Sequence, residues 1–256
     1  MTMRVLVCVK RVPAPGARIN ITADGQSIDT SFLGFTMSPH EECAVEEAVR
    51  IVEQHGGTST VLTLGPVVAE EQLRYAASLG VDQAVLIPIE DGDWDPQRTA
   101  RAIADTIAAL ESTDGPFDVI LFGNESADAG GFQVGIRVAH ALDRPVVNGA
   151  KGLELADGRA RVRRESDAGV EVYELPLPAI VGVKEGINLP RYPTLKGRLS
   201  SKKVVIDSRP SSAGAGSQRM LTLLPPPEQV STTVILGTGV DAVPAVVDLL
   251  DEIGVL

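Results

Sequence analysis

The chain has 256 residues, 44% of them hydrophobic, with 23 Lys and Arg against 34 Asp and Glu for a net charge of −11. That apolar content supplies a core for one full domain with extensions, and the acidic balance excludes general affinity for nucleic acid or anionic lipid, which needs a positive field. Aromatic residues make up only 4%, which favours layered α/β packing over a surface built to stack bases.

The first half alternates strand and helix signals. Val5 to Val9 is a short β-branched apolar run of the kind a doubly covered parallel strand needs, and Thr58–Leu64, Ala84–Ile87 and Val119–Phe122 repeat it. Between them lie amphipathic segments. In "SPHEECAVEEAVRIVEQHGG", Ser38 is placed as N-cap, Pro39 at the first helical position and Glu41 three residues after the cap. Ala44, Val45, Ala48 and Val52 then form one stripe, and Gly56 is the stop. "PVVAEEQLRYAASLG" ends the same way on Gly80, and "DPQRTARAIADTIAAL" starts with Asp95 as cap and Pro96 after it. Strand alternating with helix predicts a doubly wound, mainly parallel sheet.

The pattern changes after residue 150. Two turn signals, Asp157-Gly158 and Asp167-Ala168-Gly169, separate alternating segments and predict added antiparallel strands. Residues 188 to 203, "NLPRYPTLKGRLSSKK", carry two prolines and a basic run, and are read as neither regular helix nor strand. Residues 207 to 218 have linker composition, and "GVDAVPAVVDLLDEIG" reads as a short helix capped by Asp241, with Val246, Leu249, Leu250 and Ile253 as its stripe. That stripe must bury itself against another chain or its own domain. The expected organisation is a domain over 1–206 and a linker with a C-terminal arm over 207–256.

Cys8 and Cys43 show no paired spacing and read as buried free thiols of a reducing compartment. "MTMRVLVCVKRV" lacks a secretory h-region, and no run approaches the ~20 apolar residues of a membrane span. Cytoplasm is therefore the expected location. His40, His55 and His140 are scattered without metal-ligand spacing, and no nucleophile, base and acid stand together. The informative loop is "GNESADAGGFQVG", residues 123 to 135, after the Val119–Phe122 strand. A glycine-rich turn leading into a helix exposes backbone N–H groups and the positive helix end, so it is an anion site in kind. Neither G-x-G-x-x-G nor Gly-Lys-Ser/Thr is present.

Six ordered blocks, "RVLVCVKRV", "DTSFLGFTMSPHEECAVEEAVRI", "VLTLGP", "GNESADAGG", "RVRRESDAGVEVYELPLPAIVGV" and "NLPRYPTLKGRLSSKK", together resemble the β subunits of electron transfer flavoproteins. The resemblance implies an adenine-nucleotide-hydrolase-like fold and an electron carrier without catalytic residues of its own. It implies a heterodimer with a larger α subunit that holds most of the FAD, while this chain binds a structural AMP. The AMP contacts it implies are Cys8, then Ser38, Pro39, His40 and Glu41, then Leu64 with Gly65. In the glycine-rich loop they are Gly123, Asn124, Glu125, Ser126, Ala127 and Asp128, followed by Ala129, Gly130, Gly131, Phe132, Gln133 and Val134. The chain departs from the family pattern at Ser38, where many relatives carry Asn, and in an acidic triplet of which only Asp128 remains.

By the same resemblance the 188–203 stretch is a recognition loop that anchors a partner dehydrogenase through Leu195, with Arg191, Tyr192, Lys196 and Arg198 around it. The implied role is to carry electrons from flavin dehydrogenases of the acyl-CoA dehydrogenase type, in fatty acid oxidation, to a membrane quinone reductase. The arm over 207–256 then packs on the partner subunit. Two variants stay open: a second FAD in place of AMP, as in family members that split electron pairs, and a homodimeric nucleotide-binding regulator of the universal stress protein type. An adenylating enzyme of the ATP-pyrophosphatase type is disfavoured, because "VKRVPAPGARIN" stands where its pyrophosphate loop belongs.

Overall fold

A computed structural model describes residues 2–90, 94–227 and 233–256. The chain forms β1 (Met3–Val9), short β2 (Val12–Pro13) and β3 (Phe35–Thr36), then α1 (Pro39–His55) and β4 (Gly57–Gly65). It continues through α2 (Glu70–Leu79), β5 (Gln83–Pro88), α3 (Pro96–Asp114), β6 (Val119–Gly123) and α4 (Val134–Ala141). β7 (Val146–Ala156), β8 (Arg159–Ser166), β9 (Gly169–Pro176) and β10 (Ala179–Val183) follow, then α5 (Leu195–Ser201), β11 (Ile206–Ser208) and α6 (Val243–Glu252). One nine-stranded sheet runs in the order β11-β5-β4-β1-β6-β10-β7-β8-β9. All neighbours from β11 to β7 are parallel, and β8 and β9 extend the sheet antiparallel.

Alternating side chains of β1 divide the core. Val5, Val7 and Val9 pack with α1 and α2, whereas Leu6 and Cys8 pack with α3 and α4. Helices thus cover both faces, as the near-continuous apolar strands require. The antiparallel addition turns at Asp157-Gly158, both at positive φ, and at Asp167-Ala168. The run "AIVGV" does not join that meander; it returns as β10 between β6 and β7 in the parallel core. Its fully buried, unalternating pattern is what burial on two faces selects.

Two local expectations are corrected. Residues 195–201 are helical: Thr194 Oγ1 accepts the Gly197 N–H at 3.0 Å and caps α5, a start that Pro193 just ahead of it conceals. Asp241 does not cap α6; it lies in a 3₁₀ turn over Gly239–Ala242, and the helix starts at Val243 with Pro in its first turn.

The boundary expected after residue 206 falls inside β11, which pairs with β5. Beyond it the chain still contacts the body, with Gln218 N–H donating to Asp95 Oδ2 at 3.0 Å and Leu223 N–H to Gly25 O at 2.8 Å. The apolar stripe of α6 lies open, Leu249 at 41% and Ile253 at 61% exposure. Among the described residues no helix is long and apolar enough to cross a membrane.

Candidate functional site

In the strand order β5-β4-β1-β6-β10, chain direction across the sheet reverses between β1 and β6, so their carboxyl ends part and leave a crevice. A cleft of about 240 Å³ occupies it. Its apolar wall comes from Cys8, Leu64, Ile89, Ile103 and Phe122, and its polar end from Lys10, Arg11, Glu125, Ser126 and the turn into α4.

Glu41 joins the cleft to the helix beside it. Ser38 Oγ and the Glu41 carboxyl group form a reciprocal capping box at the start of α1, with Glu41 Oε2 accepting the Ser38 N–H at 3.0 Å. Its other oxygen accepts the Lys10 N–H at 2.9 Å, fastening α1 to the end of β1. Burial pushes this carboxyl up to about 8, against the opposing effect of those two N–H bonds. Gly123 makes the approach possible, since a Cβ there would lie 2.7 Å from Glu41 Cγ.

Around the mouth stand two polar pairs. Lys10 Nζ meets Asp128 at 2.6 Å. Burial raises the Asp128 carboxyl, but the Lys10 ammonium and local hydrogen bonds outweigh it and hold the group below its ordinary range. His40 accepts the Glu185 N–H on Nδ1 at 2.7 Å, which puts the ring proton on Nε2, 3.4 Å from Glu125 Oε1. Gln133, the N-cap position of α4, makes no capping bond; its side chain is held by Arg137 at 3.0 and 3.2 Å. The start of α4 therefore has no side-chain cap, and Gly131, Phe132, Gln133, Val134 and Gly135 line the cleft there. Arg11 stacks on Phe35 at 3.5 Å, and its buried Nε has no hydrogen-bond partner.

Of the candidate residues, Cys8, Glu41, Leu64 and Gly65 line the cleft, as do Gly123 to Ser126, Ala129 and Gly131 to Val134. Ser38, Pro39, His40, Ala127, Asp128 and Gly130 stand behind or beside it. Ser38 is fully buried as the α1 cap. The reading missed Lys10 and Arg11, which continue β1 past its candidate Cys8, and a wall formed by Ile89, Trp94, Pro96, Thr99 and Ile103. Trp94, the single tryptophan, directly before the capped start of α3, was the available signal.

The 188–203 segment is not loose. Arg191 pairs with Glu46 at 2.8 Å and Glu53 at 2.6 Å, and Asn188 donates to Glu47 and the Cys43 carbonyl, so α1 carries the segment's first half. Arg191 is therefore paired within the chain, with its side chain still one-third exposed. α5 lies on α2, where a Cβ on Gly197 would stand 2.2 Å from Ser78 O, and Arg74 Nη1 donates to the carbonyls of Ser201, Lys202 and Val204. From this mount Leu189, Tyr192 and Leu195 project, at 90%, 89% and 77% exposure.

The family model described as the electron transfer flavoprotein domain matches residues 28–213. A relative named electron transfer flavoprotein subunit beta, from Syntrophomonas wolfei, is 32% identical over 232 residues, covering 90% of this chain and 89% of its own. The chain belongs to the electron transfer flavoprotein β-subunit family. The Bacillus subtilis protein of that name is 39% identical over 167 residues, 65% of this chain and 64% of its own. The mitochondrial β subunit of Oryza sativa is 34% identical over 205 residues, 80% of each chain. The family match spans the 123–135 turn and the 188–203 segment, and ends before α6.

Proposed function

We propose that this chain is the β half of a heterodimeric electron transfer flavoprotein: it holds one AMP in the β1/β6 cleft and presents Leu195 to a flavin dehydrogenase. The observation that carries the AMP reading is the polar end of the cleft. There the first turn of α4, which has no side-chain cap, lines the cleft together with Lys10 and Arg11, a lining that suits an anionic phosphate. The apolar wall of Leu64, Ile89, Ile103 and Phe122 suits a purine ring. The cleft volume, about 240 Å³, is small for a dinucleotide, which favours AMP over a second FAD.

FAD, held mostly by an α subunit, supplies the redox chemistry when bound, accepting electrons from the dehydrogenase and passing them towards a quinone reductase. This chain's residues bind and orient. α1 carries the Glu41 cap at the cleft and the Arg191 mount at the docking segment, so one rigid helix sets the spacing of the two. The exposed stripe of α6 fits a place on the α subunit. Denaturing the purified chain should release about one AMP per chain, measured by chromatography. Release of FAD from this chain alone, or of no nucleotide, contradicts the assignment.

A further inference from the structure

The phosphate end of the cleft is not uniformly positive. Lys10 already meets Asp128 at 2.6 Å, and Arg11 lies 4.0 Å from Glu71. Glu125 lines the cleft itself, and its Oε2 lies 3.5 Å from where a Cβ on Gly130 would stand, alongside the turn into α4. His40 Nε2–H steadies that carboxylate from behind, at 3.4 Å. Each cation therefore has a carboxylate in place before any ligand arrives. The uncompensated attraction is the first turn of α4, equivalent to roughly half a positive charge. That is enough to seat one phosphate.

We propose that Glu125 and Asp128 form a charge filter that makes the cleft select nucleoside monophosphates over di- and triphosphates. The proposal rests on the adenylate reading above and deepens it. A first phosphate can share Lys10 with Asp128 and take the α4 N–H groups. A second and third must extend along the same mouth, past Glu125 and Asp128, where the one further cation among the described lining residues, Arg11, already lies 4.0 Å from Glu71. A like charge at such range weakens binding by about tenfold at an effective dielectric between protein surface and water. Asp128 is the carboxylate that reaches Lys10.

Calorimetric titration of the full chain, first freed of its own nucleotide, with AMP and with ATP, in chelator so that no Mg²⁺ masks the phosphates, reads the filter directly. Wild type is expected to bind AMP far more tightly. Glu125→Gln keeps the acceptor for His40 and should tighten ATP binding about tenfold while changing AMP less; Asp128→Asn should narrow the ratio in the same direction. Raising ionic strength should narrow it without any substitution. An AMP-to-ATP ratio unchanged in both variants and in high salt overturns the filter, since length rather than charge then excludes ATP. Equal binding of both nucleotides by wild type overturns it as well. Failure of wild type to bind AMP removes the underlying reading and the filter with it, a result distinct from AMP binding without discrimination.

Discussion

Replacing Leu195 with alanine should slow reduction of the heterodimer's flavin by its dehydrogenase about thirtyfold and leave flavin and AMP content unchanged. Leu195 stands 77% exposed on the first turn of α5, so its removal creates no cavity and costs the fold little. Under the proposed docking, its burial in a partner pocket contributes about 2 kcal/mol, equivalent to that change in affinity. An anchor of this size gives binding that also releases, which suits a carrier that must move between partners.

The mount matters as much as the anchor. α5 rests on α2 through Gly197, whose missing Cβ would otherwise meet Ser78 O at 2.2 Å. Gly197→Val should lift the helix, raising the KM for the dehydrogenase with Leu195 still in place. Steady-state assays at varied electron transfer flavoprotein concentration check both variants. Loss of flavin from Leu195→Ala, or unaltered kinetics, contradicts a docking role.

Removing the Glu41 carboxyl should be the most destabilising single change near the cleft. It accepts two backbone N–H groups, from Ser38 and Lys10, and completes the α1 cap. Glu41→Ala leaves both donors buried without acceptors, a cost of about 2–4 kcal/mol and a fall in Tm of about 6–12 °C. The same group makes stability depend on pH. Its folded value is raised from about 4.5 to about 8 by burial, so the folded chain holds a proton that the unfolded chain releases. Its contribution is fully present below about pH 4.5 and declines as pH rises through about 8, with a span of at most ~5 kcal/mol. Thermal melts of wild type and Glu41→Gln between pH 5 and pH 9 test this. Wild type should lose stability relative to the variant as pH rises; parallel curves contradict the buried proton.

Much of the frame was legible because local signals agreed with the tertiary outcome. Ser38, Pro39 and Glu41 name the start of α1 by themselves, and the apolar runs of β1, β4, β5 and β6 declare strands buried on both faces. The strand, glycine turn and helix of residues 119–141 marked one side of the cleft. The other side was not legible, since Ile89, Trp94 and Ile103 reach it only through the sheet order that sets β5 and α3 across from β6. Nothing local to Glu41 shows that its second oxygen reaches Lys10, 31 residues away. α5 was hidden for a different reason: Pro190 and Pro193 read as breakers, although Pro193 stands just outside a helix that Thr194 caps. The pairing of Arg191 was not legible either, because its partners, Glu46 and Glu53, lie on α1 far away in the chain.

The central claim is that this polypeptide completes its function only with a second subunit. Co-expression with an α-subunit-like chain that carries an FAD-binding half tests it most directly. The account predicts a yellow one-to-one heterodimer holding about one FAD and one AMP, with α6 protected from hydrogen exchange in the complex and not in the isolated chain. A colourless mixture in which the two chains elute apart, with α6 equally open in both samples, would contradict it.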